Sequence, residues 1–519
     1  MTAAATNDAV RPTRWPEIAG APALWLAAAC FLVHLVANAH YDVFRDELYF
    51  IVCGLHPAFG YVDQPPLIPL IAAASFKLFG TALTPLRLVP ALASAGTVAL
   101  TADLARRLGG GRFAQTLAGL CVLLAGALLG GGVLLSTDCL QPLSWVACAW
   151  ILVRLVDSGD ERWWLAFGAV VGVSFESKYL IVLYMAALTI GVVATPMRRS
   201  LARPWLYAGA ALALAIALPN VLWQALHGWP FLGVAGADIG GKAVGRSPLG
   251  FLLQQALFVG PVSALVWLAG LWRLGVRPPH PELRALALAY VVLLAIVIVC
   301  NGKAYYVTPI YPALFAAGGV AWEAWLKRPI ARGIAVAVIV IPGLYTVPIA
   351  LPILSPDALV AYMQAIGFST KATQTESMKL SALPQYFADM FGWREMAAAV
   401  SAVYRDLPPE ERAQAVFFAP NYGEAAALDI YGPALGGPPA ISAHNSYFLW
   451  GPNGASGEVV ITLGRGNASD YSRYYEDVRA VGRTDSAYAM PYENGLTIWV
   501  LRHPRAPLAK NWSALKHYD

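Results

Sequence analysis

A short acidic segment, RDELYF, follows directly on the first long apolar run of the chain. It places Asp46 and Glu47 side by side, and Asp63 follows just before a Pro-Pro pair. Ionisable residues close to the hydrocarbon of a membrane are costly and are usually functional or paired. A carboxylate at that level has the chemistry of a general base for a lipid-embedded substrate. The alternative is that both acids cap a helix beside the membrane, because acidic side chains favour helix N-termini.

Basic residues stand near the ends of other apolar runs. Lys178 follows Glu176 in FESKYL, and Lys303 lies in NGKAYYVTPIYP. A lysine ammonium is a compact point charge that suits a phosphate group. Each lysine alone is also explained by snorkelling, in which the stem packs in hydrocarbon and the charge reaches water. Acids and cations together indicate a lipid phosphate held opposite a general base that deprotonates an acceptor hydroxyl.

The composition is that of a membrane protein. The chain has 519 residues, 58% hydrophobic and 13% charged, whereas a soluble domain carries about 25% charge. Repeated apolar runs that can cross about 30 Å of hydrocarbon predict a polytopic α-helical membrane protein. The net charge of +5 does not indicate nucleic-acid binding, because the basic residues lie between the apolar runs and set topology. The six cysteines form no CxxC pair, so neither a metal cluster nor a disulfide framework is indicated.

Eleven candidate spans follow from the apolar runs. Their approximate bounds are 19–38, 86–104, 114–133, 139–156, 163–175, 179–195, 205–224, 250–272, 285–300, 305–325 and 333–351. We expect the first run to be a retained span, because no small-residue cleavage site follows it. The fifth and sixth spans are separated at Glu176 and Lys178, which interrupt one long apolar stretch.

Arginine-rich connections alternate with arginine-poor ones. The rich set carries Arg11 and Arg14; Arg106, Arg107 and Arg112; Arg154 and Arg162; Arg198, Arg199 and Arg203; Arg273, Arg277 and Arg284; and Lys327, Arg328 and Arg332. The positive-inside rule places this set and the N-terminus in the cytoplasm, and everything after residue 351 outside. The unusual polar residues then converge on the outer face, in the connections at 39–85, 134–138, 176–178, 225–249 and 301–304.

From Ser355 the composition becomes that of a soluble domain. The predicted elements are helices at 387–404, 421–432 and 468–479, and strands at 415–420, 458–463 and 496–502. Strands interleaved with helices predict a small extracytoplasmic α/β domain. We therefore divide the chain into a membrane domain (residues 1–354) and a C-terminal domain (residues 355–519). GRGN at 464–467 lacks a full GxGxxG, so it predicts a tight turn.

Five motifs occur in a fixed order: RDELYF, GYVDQPPL, STDCLQPL, FESKYL and NGKAYYVTPIYP. In this order they resemble the bacterial family-39 type glycosyltransferases of the GT-C superfamily, alongside protein O-mannosyltransferases and the lipid A aminoarabinose transferase. The resemblance covers most of the membrane domain, and NYGEAAAL and ISAHNSYFLWGP look like the tail of many bacterial members. It implies a GT-C fold of about eleven spans in the bacterial inner (plasma) membrane.

The resemblance also implies roles for individual residues. The family's acidic pair matches Asp46, as the candidate catalytic base, and Glu47, which would position the acceptor or a cation. The loop acid matches Asp63, and Gln64 stands where the aminoarabinose transferase has a lysine, so the donor contact there lacks a charge. The other matches to donor- or substrate-binding positions are Asp138, Lys178, Lys303 and Tyr306, with Arg246 or Lys242 in the long outer loop.

Residues and resemblance together predict an inverting glycosyltransferase. It would move a hexosyl or pentosyl group from a polyprenyl-phosphate-linked donor to an extracytoplasmic acceptor, which is a lipid, a glycan or a protein. Polyprenyl carriers suit a site open to lipid, whereas nucleotide sugars are cytoplasmic. No metal site is predicted from His56, His227 and His444, which are scattered; a divalent cation beside Glu47 stays an open alternative.

Two other classes of protein stand as alternatives. A transporter or flippase of lipid-linked sugars would carry ionisable residues near span centres and a pseudo-symmetric pair of halves. Here the ionisable residues cluster at the predicted outer ends, and no long repeat is visible. A receptor whose C-terminal domain binds a ligand would leave the RDE segment and the outer cations unexplained.

Overall fold

The computed structural model describes residues 22–237, 247–374 and 379–519. Helices fill the membrane domain, joined in places by short 3₁₀ segments such as Pro196–Ala202 and Ala304–Ile310. The helices are α1 (Pro22–Ala37), α2 (Arg45–Leu55), α3 (Leu67–Phe79), α4 (Leu83–Leu86), α5 (Leu88–Arg107), α6 (Arg112–Leu124), α7 (Gly126–Gly131), α8 (Gln141–Ser158), α9 (Trp163–Phe175), α10 (Ile181–Val193), α11 (Pro204–Leu226), α12 (Pro230–Ala237), α13 (Pro248–Val259), α14 (Pro261–Val276), α15 (Arg284–Val299), α16 (Tyr311–Trp325) and α17 (Pro329–Ala350). The predicted helical architecture is confirmed.

Several of these helices are long and apolar enough to cross a membrane. Within the described residues they are Leu88–Arg107, Pro204–Leu226, Pro281–Val299 (α15 together with the 3₁₀ turn Pro281–Leu283 that precedes it) and Pro329–Ala350. Two further pairs of helices qualify only together and are bent by more than 40°, which gives up to six such spans in the described residues. The chain is a multi-pass membrane protein, and eleven is an approximate count, since several predicted spans coincide with shorter apolar helices such as α1, α6 and α9.

The apolar run at 250–272, predicted as one span, is not one straight helix. α13 and α14 meet at Gly260 and are bent by 106°. Gly260 has a φ of +89°, which glycine adopts without the strain that a β-carbon would add. Pro261 lacks the backbone N–H that would continue the helix. The break lies inside an uninterrupted apolar run, so hydropathy alone does not reveal it.

Two helices longer than a single turn, α2 and α3, lie in the connection after α1. α2 contains the RDELYF motif, and its residues 47–54 are buried. α3, an apolar helix that the sequence analysis did not predict, packs against α2. A β-carbon at Gly54 would lie 2.0 Å from the carbonyl oxygen of Pro69, so the two helices approach closely only because residue 54 is glycine. α2 is therefore buried along most of its length, with α3 packed closely against it.

The C-terminal domain contains a five-stranded sheet in the order β2-β1-β3-β5-β4. β1 is parallel to β2 and β3, whereas β5 is antiparallel to β3 and β4. The helices are α18 (Pro356–Ala365), α19 (Gln385–Ala388), α20 (Trp393–Asp406), α21 (Pro409–Arg412), α22 (Tyr422–Leu435), α23 (Asn445–Trp450), α24 (Ala468–Ser472) and α25 (Leu508–Leu515). The strands are β1 (Ala415–Ala419), β2 (Ala440–Ser442), β3 (Val459–Gly464), β4 (Tyr475–Arg483) and β5 (Thr497–Pro504). The predicted α/β character is confirmed.

The helix predicted at 468–479 is wrong beyond its first turn. Only α24 is helical, and β4 begins at Tyr475. β4 pairs with β5 along its length, with Val478 opposite Leu501. Pairing at the sheet edge outweighs the local helical pattern, because strand formation depends on cross-strand neighbours. β2 was not predicted either, since three residues carry little pattern.

A shared hydrophobic core joins α2 to the C-terminal domain. Tyr49 and Ile51 of α2 are buried in one cluster with Phe417 of β1 and Ala425 of α22. Burial of apolar surface stabilises such a contact by about 25 cal/mol per Å². The C-terminal domain is therefore packed on the helix that carries the acidic pair.

The topology predicted from charge is tested at exposed positions. Five of the six native cysteines are buried, so a Cys300→Ser background removes the exposed thiol. Ser469 of the C-terminal domain and Ser158 at an arginine-rich connection are both exposed. In cells with a permeable outer layer, an impermeant thiol reagent should label Ser469→Cys and spare Ser158→Cys. Equal protection of the two would contradict the topology.

Candidate active site

A buried ion pair between Glu47 and Arg87 lies at the start of α2. Both side chains are 0% exposed. Arg87 Nε and Nη2 lie 3.0 and 2.9 Å from the two carboxylate oxygens of Glu47. The remaining guanidinium donors reach the carbonyls of Asn38, His40 and Asp42. All five donors of Arg87 thus have acceptors, which offsets the cost of burying the charge.

Glu47 accepts two further hydrogen bonds. The backbone N–H of Phe44 donates at 2.9 Å and that of Leu135 at 3.0 Å. The first caps α2, so the capping alternative holds for this acid. The second hydrogen bond attaches Leu135, and with it the segment that leads to Asp138, to the start of α2. Each carboxylate oxygen of Glu47 accepts two hydrogen bonds, and the side chain is not exposed. Glu47 therefore has a structural role, because it holds neighbouring segments of the chain together.

Asp46 is placed quite differently. Its side chain is 30% exposed. Oδ1 accepts hydrogen bonds from Arg45 Nε at 3.1 Å and from the hydroxyl of Tyr422 at 2.8 Å. Within the described residues, no hydrogen bond reaches Oδ2. One oxygen is held, and the other has no hydrogen-bond donor among the described residues, which leaves it available to accept a proton.

Tyr49 links Asp63 to the same face of α2. Its hydroxyl donates to Asp63 Oδ1 at 2.9 Å and accepts from the backbone N–H of Ser446 at 3.1 Å. Burial, followed by the charge of Asp63, raises the pKa of Tyr49 well above its usual value, so the phenol keeps its proton. Residues 46 and 49 share a helix face. Gln64, in contrast, is buried with its amide nitrogen 3.8 Å from the sulfur of Cys53.

A second cluster joins Asp138, Lys178 and Tyr306. Lys178 Nζ lies 2.5 Å from Asp138 Oδ2. The same nitrogen lies 5.2 Å from the ring centroid of Tyr306 and 5.5 Å from that of Tyr305. Lys303 is half-buried and stands directly before the 3₁₀ segment that carries both tyrosines. The structure thus brings the predicted residues Asp138, Lys178 and Tyr306 to one place.

Hydrogen bonds between loops hold the two clusters on one face. The backbone N–H of Leu67 donates to the carbonyl of Glu176 at 3.0 Å, which joins the Asp63 loop to the Lys178 loop. Glu47 in turn holds the loop that leads to Asp138. The connections at 39–85, 134–138 and 176–178 therefore meet at one face of the molecule, and Tyr306, which follows the connection at 301–304, borders Lys178 there. That this face is the outer one stays a prediction. Arg246 and Lys242 lie outside the described residues.

Besides Arg45, Tyr49 and Tyr305, three further groups at this face were not among the predicted site residues. Arg87 and Tyr422 lie 40 and 376 residues from their carboxylate partners. The third is Glu176, whose Oε1 is buried and finds no partner among the described residues. Burial raises the pKa of Glu176 to about 7, so its charge changes near neutral pH. Its sequence signal was its position inside a long apolar stretch.

His444, His517 and Asp519 are potential metal ligands: one ligand atom from each side chain lies within 4.8 Å of those from the other two. His444 is buried, which lowers its pKa and keeps the imidazole neutral. Its Nδ1 accepts the backbone N–H of Tyr422 at 3.4 Å, so its proton resides on Nε2 and is donated to Asp519. Both ring nitrogens are therefore engaged in hydrogen bonds.

Comparisons with known proteins agree with this fold. A family model described as dolichyl-phosphate-mannose-protein mannosyltransferase matches residues 63–223. The structure is similar to crystal structures of ArnT from Cupriavidus metallidurans, bound to undecaprenyl phosphate (TM-score 0.61) and in the apo state (TM-score 0.59). Each match has 14% identity and covers 92% of this chain and 97% of that chain. By sequence, no curated protein matches. The GT-C fold and the resemblance seen in the motifs are confirmed.

Loss of one partner of the buried ion pair should destabilise the fold. Arg87→Met leaves the charge of Glu47 buried and unpaired, so the free energy of unfolding should fall by about 3–5 kcal/mol. Arg106, whose side chain is 35% exposed beside Asp103, provides the control, and Arg106→Met should cost about 1 kcal/mol or less. Thermal unfolding in detergent, followed by tryptophan fluorescence, measures both. Equal stability of the two variants would show that the Glu47–Arg87 pair is dispensable.

Proposed function

We propose that this protein is an inverting glycosyltransferase that moves a sugar from a polyprenyl-phosphate-linked donor to a hydroxyl of a lipid, glycan or protein. The observation that carries the proposal is the unequal use of two adjacent acids. Glu47 is closed in by four hydrogen bonds, whereas Asp46 keeps Oδ2 clear of donors from the described residues. We place the reaction on the extracytoplasmic side of the bacterial inner membrane, with the N-terminus in the cytoplasm.

Asp46 is the base of the proposed reaction. Its Oδ2 takes the proton of the acceptor hydroxyl while the acceptor oxygen forms a bond to the anomeric carbon of the sugar. The bond between that carbon and the phosphate oxygen breaks, and its electron pair leaves with the phosphate. Attack from the face opposite the leaving group inverts the anomeric centre. Arg45 and Tyr422 hold Oδ1 during this step.

Lys178 and Lys303 stabilise the departing phosphate. Among the described residues, Asp138 is the one acceptor that hydrogen-bonds Lys178, although an ammonium has three N–H donors. Asp138 orients the ammonium, and the rings of Tyr305 and Tyr306 border it. The remaining N–H groups suit the oxygens of a lipid phosphate. Tyr49 connects Asp63 to the face of α2 that carries Asp46. We therefore assign Asp63 to a contact with the sugar or the acceptor.

Two comparisons support a lipid-phosphate donor. The similar ArnT structure holds undecaprenyl phosphate. The family model named for dolichyl-phosphate-mannose covers the segment that contains Asp63, Asp138 and Lys178. The alternative of a lipid-sugar flippase requires ionisable residues near span centres. Here the candidate residues lie in α2 and in connections between helices.

Replacement of the base should stop transfer. Purified protein is incubated with radiolabelled polyprenyl-phosphate sugars and membrane extract, and labelled products are identified. Asp46→Asn keeps shape but removes basicity, so the rate should fall by about 10²–10⁴-fold while donor binding persists. Asp42→Asn is the control, because Asp42 lies in the same connection and pairs with the half-exposed Arg394. Wild-type transfer by Asp46→Asn would contradict the base assignment. Lipid-linked sugar that crosses the membrane unchanged would favour a flippase.

Removal of either lysine charge should weaken donor binding. Lys178→Met and Lys303→Met keep much of the stem but lose a charge-assisted contact, which costs about 1.5–3 kcal/mol. That energy corresponds to about a 10- to 150-fold rise in the dissociation constant for the lipid donor. Lys77→Met, at an exposed position at the end of α3, should bind the donor normally. Unchanged affinity in both site variants would contradict the assignment.

A further inference from the structure

We propose that Tyr422 of the C-terminal domain is a positioning residue for Asp46, so that the active centre is assembled from both domains. This inference rests on the proposed function, because it concerns the base of that reaction. Tyr422 follows Asp46 by 376 residues, and its hydroxyl donates to Asp46 Oδ1 at 2.8 Å. The bond holds one carboxylate oxygen, which leaves Oδ2 directed toward the acceptor.

The ring of Tyr422 is fixed against α2. Its centroid lies 4.5 Å from that of Tyr49, and the guanidinium carbon of Arg45 lies 5.4 Å from the same ring. Burial raises the pKa of Tyr422 well above its usual value. The phenol therefore keeps its proton and is a permanent donor to Asp46.

The backbone around Tyr422 is fixed as well. The side chain of Asn421 caps α22 by accepting the N–H of Glu424 at 3.0 Å, and its amide donates to Glu493 at 3.1 Å. The N–H of Tyr422 donates to the buried His444. Each contact restrains the residue that points at Asp46. The first residues of NYGEAAAL thus have a physical role in placing one hydroxyl.

Arg45, the other donor to Asp46 Oδ1, is also held by the C-terminal domain. Its Nη1 donates to the hydroxyl of Tyr492 at 3.1 Å, and Tyr492 donates to Asp389 at 2.8 Å. The backbone N–H of Arg45 donates to the carbonyl of Asp389 at 3.0 Å. Gly423 makes room for this arginine, because a β-carbon there would lie 2.6 Å from Arg45 Cγ. Both partners of Oδ1 therefore depend on the docked C-terminal domain.

The hydroxyl and the ring of Tyr422 have separable roles. The ring packs into the core that joins the domains, and phenylalanine preserves that packing. The hydroxyl is the part of Tyr422 that reaches Asp46, and without it Arg45 Nε is the remaining donor to Oδ1, so the carboxylate is held less firmly. A purely structural tyrosine would tolerate Tyr422→Phe, whereas a positioning tyrosine would not.

The test measures transfer kinetics of Tyr422→Phe in the full-length protein. We expect kcat to fall by about tenfold or more, as for loss of a hydrogen bond to a charged group, with the KM for the polyprenyl-phosphate sugar and the thermal midpoint unchanged. Tyr447→Phe is the matched control, because Tyr447 is buried in the same cluster but donates to Asp429. The control should keep the wild-type kcat.

A double variant shows whether Tyr422 acts through Asp46. In an Asp46→Asn background, Tyr422→Phe should cause no further loss, because coupled residues are not additive. An equal further loss in that background, or wild-type kcat in Tyr422→Phe beside an inactive Asp46→Asn, would overturn the positioning role and leave the proposed function intact. If the wild-type protein transfers sugar from no polyprenyl-phosphate donor, the proposed function fails and this inference fails with it.

Discussion

The rest of the site depends on the ion pair between Glu47 and Arg87. Two charges without solvent exposure are stable only when every donor and acceptor has a partner. Here the guanidinium holds the carbonyls of the turn after α1, and the carboxylate holds the start of α2 and Leu135. One pair therefore fixes three separate segments, and the loop toward Asp138 takes its position from it.

The same constraint separates the roles of two neighbouring acids. Successive residues of a helix point about 100° apart. Because Glu47 turns inward to Arg87, Asp46 turns toward the C-terminal domain, where Tyr422 and Arg45 hold one of its oxygens. An adjacent acidic pair thus provides an anchor, Glu47, and the base that we propose, Asp46, on one rigid helix, and a catalytic geometry requires a rigid support.

Docking of the C-terminal domain also determines the position of Asp46. Its residues share a buried core with α2 and also supply the hydroxyl on Asp46. Detachment of the domain would expose that apolar core and remove a donor from Asp46 in one step. The packing of the domain and the orientation of the proposed base are therefore coupled, and the domain is part of the catalytic unit that we propose.

The sequence by itself determined the helical membrane class, the GT-C resemblance and the α/β character of the C-terminal domain, because apolar runs, motif order and strand alternation are local patterns. It also named Asp138, Lys178 and Tyr306, which the structure brings into contact. Only the tertiary structure decided that residues 475–483 form an edge strand and that α13 and α14 bend at Gly260. It alone distinguished Asp46 from Glu47, since their partners Tyr422 and Arg87 lie 376 and 40 residues away. Contacts at such separations arise from packing of the whole chain, which no local pattern encodes.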